Sequence, residues 1–121
     1  MTKKILIADD DPGILEAIEA MLNFIGYEVV TSTDGEALLD MKDNLPDLFL
    51  LDIWMPGTSG TEICRGLKRN PATRHIPVIL ISAGANVKKA ATDAAADDYI
   101  AKPFDMYDLI GKIERLLNNA A

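Results

Sequence analysis

Four consecutive apolar residues, Leu48-Phe49-Leu50-Leu51, run into a single carboxylate at Asp52. A strand that is apolar at every position is buried on both faces, and such strands belong to parallel sheets covered by helices on either side. A charge in the middle of that strand would be ruinous. At its carboxyl end, where the chain leaves the sheet, it is tolerable, and that edge is where open α/β sheets bind ligands. A second apolar strand, Lys4-Ile5-Leu6-Ile7-Ala8, stops in the same way, in Asp9-Asp10-Asp11. If the two strands are neighbours, their carboxylates converge, and like charges brought together require a cation.

Strand-like and helix-like segments alternate five times, the pattern of βαβ units. After the first strand, Pro12 sits at a favoured first-turn position, and Ile14, Leu15, Ile18, Met21, Leu22 and Ile25 recur at helical spacing before Gly26. A short second strand, Glu28-Val29-Val30-Thr31, precedes a second helix that Asp34 can cap and that runs through Leu38, Leu39 and Met41 to about Asn44. The third strand ends at Asp52, and a loop with Pro56, Gly57 and Gly60 leads to a third helix carrying Ile63 and Leu67. Pro77-Val78-Ile79-Leu80-Ile81 is the fourth strand, ending in Ser82-Ala83-Gly84. The fourth helix, at about residues 86–95, is alanine-rich and offers little apolar bulk, so weak packing is expected of it. Asp98-Tyr99-Ile100-Ala101 is a short fifth strand before Lys102-Pro103. The last helix, at about 105–118, carries Leu109, Ile110, Ile113, Leu116 and Leu117 on one stripe.

Residues 1–121 make one domain, with no linker or repeat inside it, and the chain stops just after its last amphipathic helix. No attached output domain is therefore expected within this sequence. No apolar run approaches the roughly 18 residues of a membrane span, and the start lacks the layout of a signal peptide, so a cytoplasmic location is expected. Nineteen acids stand against twelve bases, a net charge of −7, which argues against direct contact with nucleic acid. The lone cysteine, Cys64, has no disulfide partner and reads as a small packed side chain in a helix. His75, in a polar connection, reads as a solvated loop residue.

Parallel strands put all their carboxyl ends on one edge, so Asp9, Asp10, Asp52, Ser82 and Lys102 gather there. Mg²⁺ is a hard cation that takes one or two carboxylates, keeps waters and adds phosphate oxygens. Asp10, Asp52 and a backbone carbonyl suit it. The Ser82 hydroxyl and the Lys102 ammonium beside them suit a phosphoryl group, whose oxygens need neutralising during transfer. Asp11, just before Pro12, reads as a helix cap instead.

On these residues the chain resembles a receiver domain of the two-component response regulators, over essentially its whole length. The family's acidic pair falls on Asp9 and Asp10 and its phosphoacceptor on Asp52. Its Met-Pro and downstream glycine fall on Met55, Pro56 and Gly60. Its switch hydroxyl falls on Ser82, its switch aromatic on Tyr99, and its lysine-proline pair on Lys102 and Pro103. Each motif alone is weak, but five in order, each at a strand end, are specific.

The resemblance implies a doubly wound, flavodoxin-like α/β fold: a five-stranded parallel sheet in the order 2-1-3-4-5 flanked by five helices. It also implies a signalling switch rather than an enzyme. Asp52 would take a phosphoryl group from a histidine kinase or phosphotransfer protein. Mg²⁺ would be held by Asp10, Asp52 and the Trp54 carbonyl, with Asp9 acting through water. Lys102 would pair first with Asp52 and then with the phosphoryl group. Ser82 would move to a phosphoryl oxygen, Tyr99 would swing inward, and a downstream protein or a second copy would read the change.

Two features depart from the family pattern. The Ser82-to-Tyr99 interval is about two residues short, and Ala95 stands where a glycine usually ends the fourth helix. Alanine in a left-handed turn costs roughly 1 kcal/mol, so the fourth helix is expected to be shortened or to end differently. The competing reading is a small Mg²⁺-dependent aspartyl-phosphate phosphatase. Such enzymes tend to carry a second aspartate two residues after the nucleophile, where this chain has Trp54.

Overall fold

The computed structural model describes residues 2–55, 57–84 and 86–119. Pro56, half of the Met-Pro reading, lies outside them. Five strands, β1 (Lys4–Ala8), β2 (Glu28–Ser32), β3 (Leu48–Asp52), β4 (Val78–Ser82) and β5 (Asp98–Ala101), form one sheet in the order β2-β1-β3-β4-β5. Every neighbouring pair is parallel, which is the expected strand order. Among the described residues four α-helices flank the sheet: α1 (Pro12–Ile25), α2 (Gly60–Arg69) and α3 (Val87–Asp93) between strands, and α4 (Met106–Asn119) after β5.

The continuous apolar strands are explained by alternation between two cores. Leu6, Phe49, Leu51 and Leu80 face one layer, against Ile63, Cys64 and Leu67 of α2 and Val87 and Ala91 of α3. Ile5, Ile7, Leu48, Leu50 and Ile79 face the other, against Leu15, Ile18 and Leu22 of α1 and Leu109 and Ile113 of α4. Every residue of β3 and β4 is buried. At about 1.5–3 kcal/mol for each large aliphatic side chain removed from water, these two central strands anchor the sheet, and the polar residues that end them are held as firmly as the core.

Asp11 caps α1, its carboxylate accepting from the Gly13 N–H at 2.9 Å. Cys64 is buried, and burial pushes its thiol up to about 11, which disfavours the reactive thiolate and fits a packed side chain. His75 is exposed.

The second helix differs from expectation. Only a 3-10 helix, Glu36–Asp40, forms there, and the Asp34 carboxylate accepts from the Glu36 N–H at 3.1 Å. Among its residues only Leu38 is fully buried, too little apolar surface to hold further turns in place. Asn44 then takes a left-handed conformation ahead of Leu45 and Pro46.

The fourth connection is also shorter, seven residues of α3 in place of the ten expected. It closes with Ala95 at φ 62°, the Ala95 N–H donating to the Thr92 carbonyl and the Ala96 N–H to the Ala91 carbonyl. That is the two-bond helix ending in which glycine is usual, occupied here by a residue with a Cβ. Ala95→Gly is expected to stabilise the chain by about 1 kcal/mol, read as a raised urea midpoint at unchanged slope. A lowered midpoint would show that the turn carries no strain.

Candidate functional site

The carboxyl ends of β1, β3, β4 and β5 deliver the polar residues to one edge. Asp9 and Asp52 are buried, Asp10 beside them is exposed, and one carboxylate oxygen from each lies within 4.8 Å of the others. Register does this: Ala8 pairs with Leu51 across β1 and β3, so the next residue on each strand is an aspartate at the same level.

Lys102 enters from beyond β5. Its ammonium donates to Asp9 Oδ2 at 3.3 Å and to Asp52 Oδ2 at 3.4 Å, bridging the two buried carboxylates. Asp9 also accepts from the Asp11 N–H at 2.9 Å. Asp52 has the Trp54 N–H at 3.5 Å from Oδ1. Even so, burial first and the Asp9 charge second push the Asp52 carboxyl up to about 6, outweighing Lys102. A carboxylate held against its own desolvation by one shared ammonium is short of positive charge.

A hard divalent cation fits that shortage. Three carboxylate oxygens converge, no soft sulfur or imidazole donor lies with them among the described residues, and the outermost acid, Asp10, opens to solvent. The Trp54 carbonyl belongs to the loop that leaves β3 beside Asp52.

Gly60 positions that loop from below. It is the first residue of α2, and a Cβ there would run into the Asp52 carbonyl oxygen and lie about 3 Å from Ile53 Cα. The Gly60 N–H donates to the Ile53 carbonyl at 3.0 Å.

Ser82 ends β4, is buried, and its hydroxyl oxygen accepts from the Gly84 N–H at 2.9 Å and from the Trp54 indole Nε1 at 3.1 Å. Sequence reasoning missed the second of these bonds. Its only sequence signal is a tryptophan two residues past one strand-end polar group and a glycine two residues past another. Tyr99, on β5 opposite Leu80, is half-buried, with the Lys112 ammonium 5.6 Å from its ring centre. Lys112 also donates to Asp98 at 3.1 Å. Tyr99 therefore stands two strands away from Asp52, with β4 between them, beside the layer that holds α3.

Comparison with known proteins agrees with this geometry. The response regulator receiver domain family matches residues 5–114. Response regulator PleD of Caulobacter vibrioides is 40% identical over 119 residues, 96% of this chain but 26% of PleD, so the chain spans about a quarter of that relative's length. A putative response regulator from Chloroflexus aurantiacus superposes with a TM-score of 0.90 at 33% identity, covering 98% of this chain and 99% of that one. Response regulator protein TrrA from Thermotoga maritima, solved in complex with Mg²⁺-BeF, superposes at 0.85 with 34% identity, covering 95% and 99%.

Proposed function

Because the chain belongs to the response regulator receiver domain family, we propose that it is a phosphorylation-controlled switch whose acceptor is Asp52. The observation that carries this reading is the buried Asp52 carboxylate, bonded by Lys102 and clustered with Asp9 and Asp10 at the mouth of the sheet. Ionised, Asp52 attacks the phosphorus of a phosphohistidine. An O–P bond forms, the P–N bond breaks, and the departing imidazole nitrogen takes up a proton. Lys102 lies where it can follow charge from the carboxylate to the phosphoryl oxygens. Asp9, Asp10, Asp52 and the Trp54 carbonyl would hold Mg²⁺, which when bound neutralises charge on the transferring group. Ser82 and Tyr99 carry the change outward.

The donor on this reading is a histidine kinase or phosphotransfer protein, and the responder a downstream protein or a second copy. Protein partners suit the surface: Phe24 is 88% and Tyr107 83% exposed on α1 and α4, apolar area of the kind partners cover. Direct binding of nucleic acid is disfavoured by the net charge of −7. Among the described residues no helix is long and apolar enough to cross a membrane, and we place the switch in the cytoplasm. Catalysis is confined to the protein's own phosphorylation and dephosphorylation.

Intact-mass measurement after incubation with phosphoramidate and Mg²⁺ tests the reading. One phosphoryl adduct per chain is expected, lost in Asp52→Asn and suppressed by EDTA. An adduct unchanged in Asp52→Asn would refute it, and turnover of unrelated phosphomonoesters would indicate a phosphatase.

A further inference from the structure

The Ser82 hydroxyl oxygen has two lone pairs, and both are occupied, by the Gly84 N–H and by the Trp54 indole N–H. Among the described residues its partners do not include Asp52 or Lys102. Trp54 as a whole is 66% exposed, so burial of the ring does not force its indole onto Ser82. Local geometry makes the bond possible. A Cβ on residue 84 would stand 3.3 Å from Ser82 Oγ and 3.6 Å from Trp54 Nε1, and the glycine there leaves that approach clear.

The same residue touches the acceptor, its backbone N–H lying 3.5 Å from Asp52 Oδ1. Trp54 thus joins the end of β3 to the end of β4 through one side chain. The bond faces a groove of about 340 Å³ lined by Trp54, Ser82, Gly84, Val87 and Ala90 among others, against α3.

We propose that the Trp54 indole is a latch on Ser82, a positioning residue that holds the switch hydroxyl in its resting place until a phosphoryl group on Asp52 draws it away. The inference rests on the acceptor role of Asp52. Carrying the hydroxyl to a phosphoryl oxygen breaks the indole bond and frees the ring beside α3. Release of the switch residue and a change of the α3 surface are then one event.

Beryllofluoride with Mg²⁺, followed by ¹⁹F NMR, stands in for the phosphoryl group and needs no tryptophan signal. Trp54→Phe keeps an aromatic ring but removes the N–H. It is expected to lower the half-saturating beryllofluoride concentration about threefold to tenfold, roughly 0.6–1.4 kcal/mol by RT ln of that ratio. Gly84→Ala, which crowds the bonded pair, is expected to shift it the same way. In a Ser82→Ala background Trp54→Phe should change nothing further, because the latch then has nothing to hold. An equal Trp54→Phe effect in both backgrounds, or none in either, overturns the latch while leaving the acceptor reading intact. Failure of the parent chain to bind beryllofluoride at all overturns the acceptor reading and the latch with it.

Discussion

Without divalent cation at neutral pH, Asp52→Asn is expected to be more stable than the parent chain, by about 1–3 kcal/mol or roughly 3–10 °C in melting temperature. The gain is unusual for removing a charge that has a salt-bridge partner, and it follows from the site's imbalance. Two buried carboxylates share one ammonium, and burial together with the Asp9 charge raises the Asp52 carboxyl to about 6 from an ordinary 3.8. In the unfolded chain the group ionises near its ordinary value. Between those two values the folded state binds more protons than the unfolded state, so Asp52 subtracts stability as pH rises through that window. Below it both states are protonated and the penalty vanishes; above it the penalty is complete. Asparagine removes the charge and leaves Lys102 paired with Asp9.

Thermal melts in EDTA across pH 4 to 7.5 should therefore show the variant's advantage opening with rising pH and levelling off above about 6. Mg²⁺ should then close the gap by stabilising the parent in proportion to the logarithm of its concentration. An advantage independent of pH, or a variant less stable than the parent, would mean that Lys102 compensates Asp52 in full.

The sheet and its polar edge were legible in the sequence because they follow from patterns a few residues long. Leu48-Phe49-Leu50-Leu51 must alternate between two cores, and its carboxylate can only lie where the strand ends. Once β1 and β3 are neighbours, Asp9 and Asp52 meet with no further information. The second helix is not legible in the same way: Leu38, Leu39 and Met41 suit a helix and pack on the core, but only Leu38 is fully buried, and the segment closes as a short 3-10 helix. The end of α3 was foreseeable from Ala95, since a missing glycine is itself a local signal. The indole bond to Ser82 was not foreseeable in the same way. It joins residues 28 apart, and nothing in the spacing says that the tryptophan ring turns toward β4 rather than into solvent.

Gly60 shows most sharply how fold and site depend on each other, and Gly60→Ala carries the largest destabilisation we expect. The atoms that a Cβ would meet are all backbone: the Asp52 carbonyl oxygen and carbon, and Ile53 Cα. No side chain can swing aside to relieve the overlap, so either α2 lifts or the end of β3 moves. Overpacking of this kind costs about 1–3 kcal/mol and sometimes more; with rigid backbone on the opposing side we expect about 3 kcal/mol, roughly 10 °C in melting temperature. Gly111, in α4, supplies the control. No atom lies within 4 Å of a Cβ there, so Gly111→Ala should raise stability by about 0.5–1 kcal/mol through helix propensity alone. The same chemical change in two helices is thus expected to act in opposite directions. Because the strained atoms belong to Asp52 itself, Gly60→Ala should also weaken Mg²⁺ binding, read as a shifted titration of Trp54 fluorescence below the variant's melting range. Equal stability of the two variants would mean that the β3–α2 junction yields, and that the acceptor carboxylate is positioned by Lys102 rather than by the backbone beneath it.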